Sequence, residues 1–232
     1  MTDQITTIET PRLILRAARE DDAEVLYEVF SDPEVMKYWS EPPHPSPART
    51  QAWVSSMATS TQNGVTDFII CLKPGATDTT STPAPIGKIG IYSAPPSNEI
   101  GFLLSRTHWG KGLAREALSH MLSYLFNLAA LPQRSSTQNG DTPRCPKAGQ
   151  LTTISPDELA SSQWRYPSIT ADTDPRNAAS IGLLRSCGFK DAAYVERTWE
   201  IGGEWLDSLY LRMEREEWVE KQKGLTLTET SR

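Results

Sequence analysis

The sequence predicts a mixed α/β domain built on a mainly antiparallel sheet of six or seven strands, and three observations carry that expectation. Short β-rich runs, Phe68 to Leu72, Ile86 to Tyr92 and Asn98 to Leu104, follow one another without a helical pattern between them. The last of these passes through Trp109-Gly110-Lys111-Gly112 into a segment where Leu113, Ala117, Leu118, Met121, Leu122, Leu125 and Phe126 share one helical face. Near the end, Tyr194 to Ile201 and Trp205 to Met213 are joined through Gly202-Gly203, a two-residue hairpin signal.

The other elements come in order along the chain. Thr10 to Ala17 alternates Leu13 and Leu15 with Arg12, Ile14 and Arg16, the pattern of a half-buried strand. Asp21 and Asp22 precede Val25, Leu26, Val29 and Phe30 at helical spacing, with the acids at the favourable end. Asp32-Pro33 and Ser46-Pro47 repeat a start signal in which a capping side chain precedes a proline suited to the first turn. Trp164 to Thr170 reads as a strand and Pro175 to Cys187 as a helix closed by Gly188. Two stretches, about 74–85 and 132–163, are rich in Ser, Thr, Pro and Gly and too poor in apolar groups to fold alone; a tail is expected from about 220. One domain over residues 1–232 accommodates all of this.

Composition excludes several classes. A net charge of -6 argues against a nucleic-acid surface, which needs clustered Lys and Arg. Three cysteines, Cys71, Cys145 and Cys187, lack the spacing of a disulfide framework or a zinc site, and His44, His108 and His120 show no metal spacing, so no metal is expected. No apolar run reaches the length of a membrane span, and a cytoplasmic protein, monomer or homodimer, is expected.

The strand, glycine turn and helix at residues 98–127 form an anion site by construction. First-turn amides have no intrahelical acceptor, the aligned peptide dipoles place positive charge there, and Gly110 and Gly112 remove side chains from the approach. A dinucleotide fingerprint fails because Arg115 stands where the third glycine belongs, and a P-loop fails because Gly112 follows Lys111.

Four motifs in this order, T-P-R-L-I-L-R, N-E-I-G-F-L-L, W-G-K-G-L-A and D-P-R-N-A-A-S-I-G-L-L-R-S-C-G-F, resemble the GNAT superfamily of N-acetyltransferases over roughly residues 8–215. Trp109 before the glycines, with Asn177 and Ser180, resembles the branch that acetylates the N-terminal alanine or serine of ribosomal proteins. The resemblance implies helices on both faces of the sheet and a V-shaped cleft for acetyl-CoA, used as a cosubstrate. It implies that Trp109, Gly110, Lys111, Gly112, Leu113, Ala114 and Arg115 cradle the pyrophosphate and that pantetheine pairs beside Phe102, Leu103 and Leu104, where a strand bulge splays the sheet from Ser168 to Ala171. The Leu104 amide would polarise the thioester carbonyl, Asn177 would meet the pantetheine, and Ser180 would protonate the leaving thiolate. Where many members carry a tyrosine acid this chain has Leu184, which leaves Ser180, water or Tyr194 in that role.

An amine attacks a thioester only when neutral. An α-amine of pKa about 8 is roughly a tenth neutral at pH 7, a lysine of pKa about 10.4 only about four parts in ten thousand, a gap of about 3 kcal/mol. Glu99 is the candidate base, acting through water, and reads equally as a solvated strand residue or an ion-pair member. Asn177 and Ser180 fit helix capping as well as catalysis, Tyr38 and Trp39 fit core packing as well as an acceptor wall, and Cys187 reads as a buried apolar residue. The expected acceptor is a peptide N-terminus; a small-molecule amine, or an acyl-CoA-binding module with little chemistry, are the alternatives.

Overall fold

The computed structural model describes residues 7–59, 65–75, 82–94, 97–128 and 165–229. They fall into two compact units, one ending at Tyr124 and the other starting at Leu125. Half of the first expected insertion and the whole of the second lie outside the described residues, as do Cys145 and Trp164.

In the first unit, β1 (Ile8–Glu9), β2 (Leu13–Arg16), β3 (Val65–Leu72), β4 (Ala84–Ala94) and β5 (Ser97–Leu104) pair in sequence order, each antiparallel to the next. Leu13 and Leu15 are buried as their alternation requires. On one sheet face Ile69, Cys71 and Leu103 pack with residues from α1 (Asp22–Phe30), α2 (Pro33–Met36) and α3 (Pro47–Ala58). On the other, Phe68 meets Tyr124 of α4 (Leu113–Phe126) edge to face at 5.6 Å. The whole expected stripe of α4 is buried, from Leu113 to Phe126.

In the second unit, β8 (Glu204–Glu214) pairs antiparallel with both β6 (Ser168–Thr173) and β7 (Lys190–Ile201). Helix α5 (Ala178–Cys187) buries Ile181 and Leu184, and α6 (Arg215–Glu229) brings Trp218 to 5.5 Å from Phe126.

Several expectations need correction. The described residues hold eight strands, because the two-residue β1 is too short to leave a periodic signal. Val25 is 44% exposed; the inward face of α1 is Ala23, Leu26, Val29 and Phe30. Asp22 stands in the first turn of α1 as expected, and it is also buried and meets Arg16 Nη2 at 2.6 Å. Helix α5 begins at Ala178, not Pro175, because Asp174 takes the Arg176 and Asn177 amides into a turn of its own. Helix α6 runs past the expected start of the tail, to Glu229.

Phe68 is fully buried between α4 and its strand neighbours. Phe68→Ala should destabilise the protein by about 3–5 kcal/mol, read from the midpoint of urea unfolding at constant slope.

Candidate active site

Strand β5 determines where the glycine turn begins. It pairs with β4 in unbroken register, from Leu104 opposite Gly87 to Ser97 opposite Ala94. The bulge expected in β5 is therefore absent from that pairing; the shift lies one strand over, where Ile86 of β4 is skipped between the Ile70–Gly87 and Cys71–Pro85 pairs. Here the Leu103 carbonyl comes so close to β4 that a Cβ on Gly87 would stand 2.1 Å from its oxygen, an approach only glycine admits. In a trans peptide the carbonyl and the following amide point opposite ways, so the Leu104 N–H is directed away from β4. The Leu104 carbonyl accepts a 2.7 Å hydrogen bond from the indole of the half-exposed Trp109, across a tight turn at Arg106–His108.

Gly110 and Gly112 then take φ of +70° and +73°, which only glycine adopts without strain. Nothing stands within 4 Å of a Cβ position on Gly110, and only the Arg12 guanidinium, at 3.5 Å, near that of Gly112. The first intrahelical hydrogen bond runs from the Glu116 amide to the Gly112 carbonyl at 3.1 Å. The amides of Leu113, Ala114 and Arg115 precede it, at the positive end of the peptide dipoles. The side chains of Lys111 and Arg115 are exposed beside them, while Leu113 is buried and anchors the turn to the core. This arrangement fits a diphosphate.

The turn is held from behind. Arg12 donates from its guanidinium to the Lys111 carbonyl at 2.9 Å and to Glu116 Oε2 at 2.6 Å, and from its amide to Glu116 Oε1 at 2.8 Å. The Thr10 hydroxyl donates to the same Oε1 at 2.5 Å. Burial acts to raise the Glu116 carboxyl, but the Thr10 and Arg12 hydrogen bonds and the Arg12 charge outweigh it and hold the group below its ordinary value.

Glu99 is half-buried on β5, directly opposite Tyr92 of β4. By strand alternation it shares a face with Gly101 and Leu103, the face that packs on α1, α2 and α3. Trp39 lies over Gly101, its ring 3.1 Å from a Cβ position there, and also packs on the core cluster, so it lines this face and fills the interior at once. Phe102 is half-buried on the alternate face.

The remaining expected residues belong to the second unit. Asn177 is the N-cap of α5, its side-chain oxygen accepting the Ser180 amide at 3.1 Å. Asn177 thus performs the capping role that its type suggests, and Ser180 supplies the backbone amide that is capped. Leu184 is buried in the core of the unit, and Cys187 is buried beside it on the same helix. Tyr194 is 55% exposed and donates its hydroxyl to Asp207 at 2.6 Å, which directs its proton at a neighbouring carboxylate.

A family model described as the acetyltransferase (GNAT) domain matches residues 12–190. The chain belongs to the GNAT acetyltransferases. An uncharacterized N-acetyltransferase, p20 of Bacillus licheniformis, is 34% identical over 124 residues, covering 52% of this chain and 66% of that protein, just under two thirds of its length. A GNAT-family acetyltransferase from Bacillus anthracis superposes with a TM-score of 0.64 at 22% identity, over 91% of this chain and 99% of the other. The ribosomal L7/L12 alpha-N-protein acetyltransferase RimL, solved with coenzyme A, gives a TM-score of 0.64 at 14% identity, over 90% of this chain and 98% of that one. These structural likenesses show the fold, which is the mixed α/β fold of the GNAT acetyltransferases.

In this GNAT chain, reading the sequence missed the support behind the cradle. Thr10 and Arg12 read only as strand residues, and Glu116 only as an outward helix position; their partnership spans more than a hundred positions and leaves no local signal. Among the described residues no group of three or more His, Cys, Asp or Glu is arranged to hold a metal ion, and no helix is long and apolar enough to cross a membrane.

Because the folded pKa of Glu116 is depressed, its stabilisation is present above the unfolded value and fades as the pH falls through the folded one. Glu116→Gln should therefore cost about 1 kcal/mol at pH 7, and the deficit should shrink below about pH 4. Urea titrations of both proteins at pH 7 and pH 3.5 measure the difference.

Proposed function

We propose that this chain is a single N-acetyltransferase domain that transfers acetyl from acetyl-CoA directly to a primary amine, with a peptide or protein N-terminus as acceptor. The observation that carries the reading is the exposed Gly110–Gly112 turn with three ladder-free amides, in the same unit as a Leu104 N–H directed away from β4. The family match runs through both units, which supports one domain. The acceptor class rests on the Trp109, Asn177 and Ser180 pattern and on the fold likeness to an enzyme named for ribosomal protein N-termini.

Acetyl-CoA supplies an activated thioester. The amides of Leu113 to Arg115, with Lys111 and Arg115, hold its diphosphate. Glu99, through water, takes a proton from the acceptor ammonium, so that a neutral nitrogen attacks the carbonyl. As the carbon–nitrogen bond forms, negative charge grows on the carbonyl oxygen, where the Leu104 N–H donates. The carbon–sulfur bond then breaks, the amine nitrogen loses its second proton, and the thiolate is protonated. Tyr194, held by Asp207, is not assigned to that last step.

Thiol release should be seen when acetyl-CoA is mixed with peptides beginning with Ser or Ala. Release with polyamines or free amino acids, and none with peptides, would reject the acceptor class; no release with any amine would reject the enzyme. Gly112→Val should raise the acetyl-CoA dissociation constant at least about tenfold, through φ strain and a side chain in the phosphate path. An unchanged calorimetric titration would contradict the cradle. Glu99→Gln should lower kcat roughly a hundredfold and leave acetyl-CoA affinity intact.

A further inference from the structure

Strand β4 carries a lysine with no route to water. Lys88 is fully buried, its Nζ 2.8 Å from Asp67 Oδ1 on β3, and it donates a 2.7 Å hydrogen bond to the Tyr92 hydroxyl. The rings of Trp53, Tyr92 and Trp39 stand 5.0, 5.2 and 5.8 Å from that nitrogen. The Asp67 carboxylate rests on the bare Cα of Gly90, where a Cβ would come within 2.0 Å of Oδ1. Room has thus been made for an ion pair that apolar side chains could replace without loss of stability.

Protonation is set by these surroundings. Burial acts to lower the Lys88 ammonium, but the Asp67 charge, with the Tyr92 oxygen and both hydrogen bonds, outweighs it and keeps the group above its ordinary value. Burial also raises the Tyr92 phenol, with the Asp67 and Glu99 charges adding to it and Lys88 opposing. The lysine is therefore a fixed donor and the phenol keeps its hydrogen. With Lys88 donating to one lone pair of the oxygen, that hydrogen is available to a second acceptor.

The residue across the strand pair from Tyr92, on the same face, is Glu99. Other titratable groups near this face are Cys71, whose thiol burial pushes up to about 11, His44 and Asp22. His44 lies 5.0 Å from the Trp53 ring, bonded through Nδ1 to the Thr50 hydroxyl, and burial and then the Arg49 charge lower it toward the neutral form. From α1, Asp22 is paired with Arg16 of β2. Trp39 and Trp53 carry no titrating proton.

We infer that Tyr92, anchored by the buried Lys88–Asp67 pair, is a positioning residue for Glu99, offering the carboxylate a fixed phenolic donor that orients it and keeps it ionised. The inference rests on the reading of Glu99 as base. The chain of groups transmits orientation and not a proton, since the Lys88 ammonium has no lone pair to receive one.

An NMR titration of the Glu99 carboxyl, assigned with Glu99→Gln, tests this in the full chain. Tyr92→Phe, which keeps the ring, should raise the Glu99 midpoint by about half to one pH unit. It should also lower kcat about tenfold on a Ser-initiated peptide while the acetyl-CoA dissociation constant stays unchanged. Replacing both ion-pair partners, Asp67→Leu with Lys88→Met, leaves no lone buried charge and should move the midpoint the same way. An unmoved midpoint in Tyr92→Phe, beside an inactive Glu99→Gln, overturns the Tyr92 assignment alone. Full turnover by Glu99→Gln overturns the base reading and the catalytic purpose of Tyr92 with it.

Discussion

The contact of the Leu103 carbonyl with the bare Cα of Gly87 sets the geometry of the chain from β5 to the start of α4. It brings β5 against β4 at the point where β4 is irregular, and through the planarity of one peptide it fixes the direction of the next amide, that of Leu104. The Leu104 carbonyl, facing the same way as its own amide, is taken by Trp109. That bond fixes where the glycine turn starts, and the turn fixes which amides stand ahead of the α4 ladder. A side chain at position 87 would have to push the strands apart and would displace all of these at once.

The opposite requirement applies to the turn itself. Amides meant for a ligand must not be satisfied by protein, so their neighbours must be held without being capped. Arg12 and Thr10 solve this by binding the Lys111 carbonyl and the Glu116 carboxylate, groups that flank the first-turn amides without occupying them. A carboxylate in the first helical turn also complements the dipole, so the clamp and the helix favour the same charge.

Much of the fold was legible because apolar periodicity survives in a single sequence. The α4 stripe is buried residue for residue, and Gly202-Gly203 joins β7 to β8 where the hairpin signal lies. The glycine turn was legible too, since glycines at a strand-to-helix junction are a local signal. Features that depend on register could not be read. Lys88 looks like an outward strand residue until β3 and β4 are aligned, when Asp67 and Gly90 become neighbours. Arg12 and Glu116 are paired by tertiary packing alone. The β7 irregularity between Val195 and Trp199, where Arg197 has a φ of +54°, contains no glycine to announce it, yet it brings the Arg197 amide to Asp207 and so helps fix the carboxylate that takes the Tyr194 hydroxyl.

The chemistry asked of these residues is modest, and the structure is consistent with that. A lysine acceptor would need about 3 kcal/mol more help toward its neutral form than an α-amine does. Such help calls for a deeply buried base or an apolar slot that strips the ammonium of water. Glu99 is only half-buried, and the ammonium that aromatic rings enclose on the same sheet face is Lys88, held in the charged state by Asp67. In the proposed mechanism a half-buried carboxylate serves an amine of pKa near 8, where about a tenth of the molecules are already neutral at pH 7. If Glu99 is the base proposed above, the same carboxylate would serve a lysine poorly, and its burial then bears on acceptor choice.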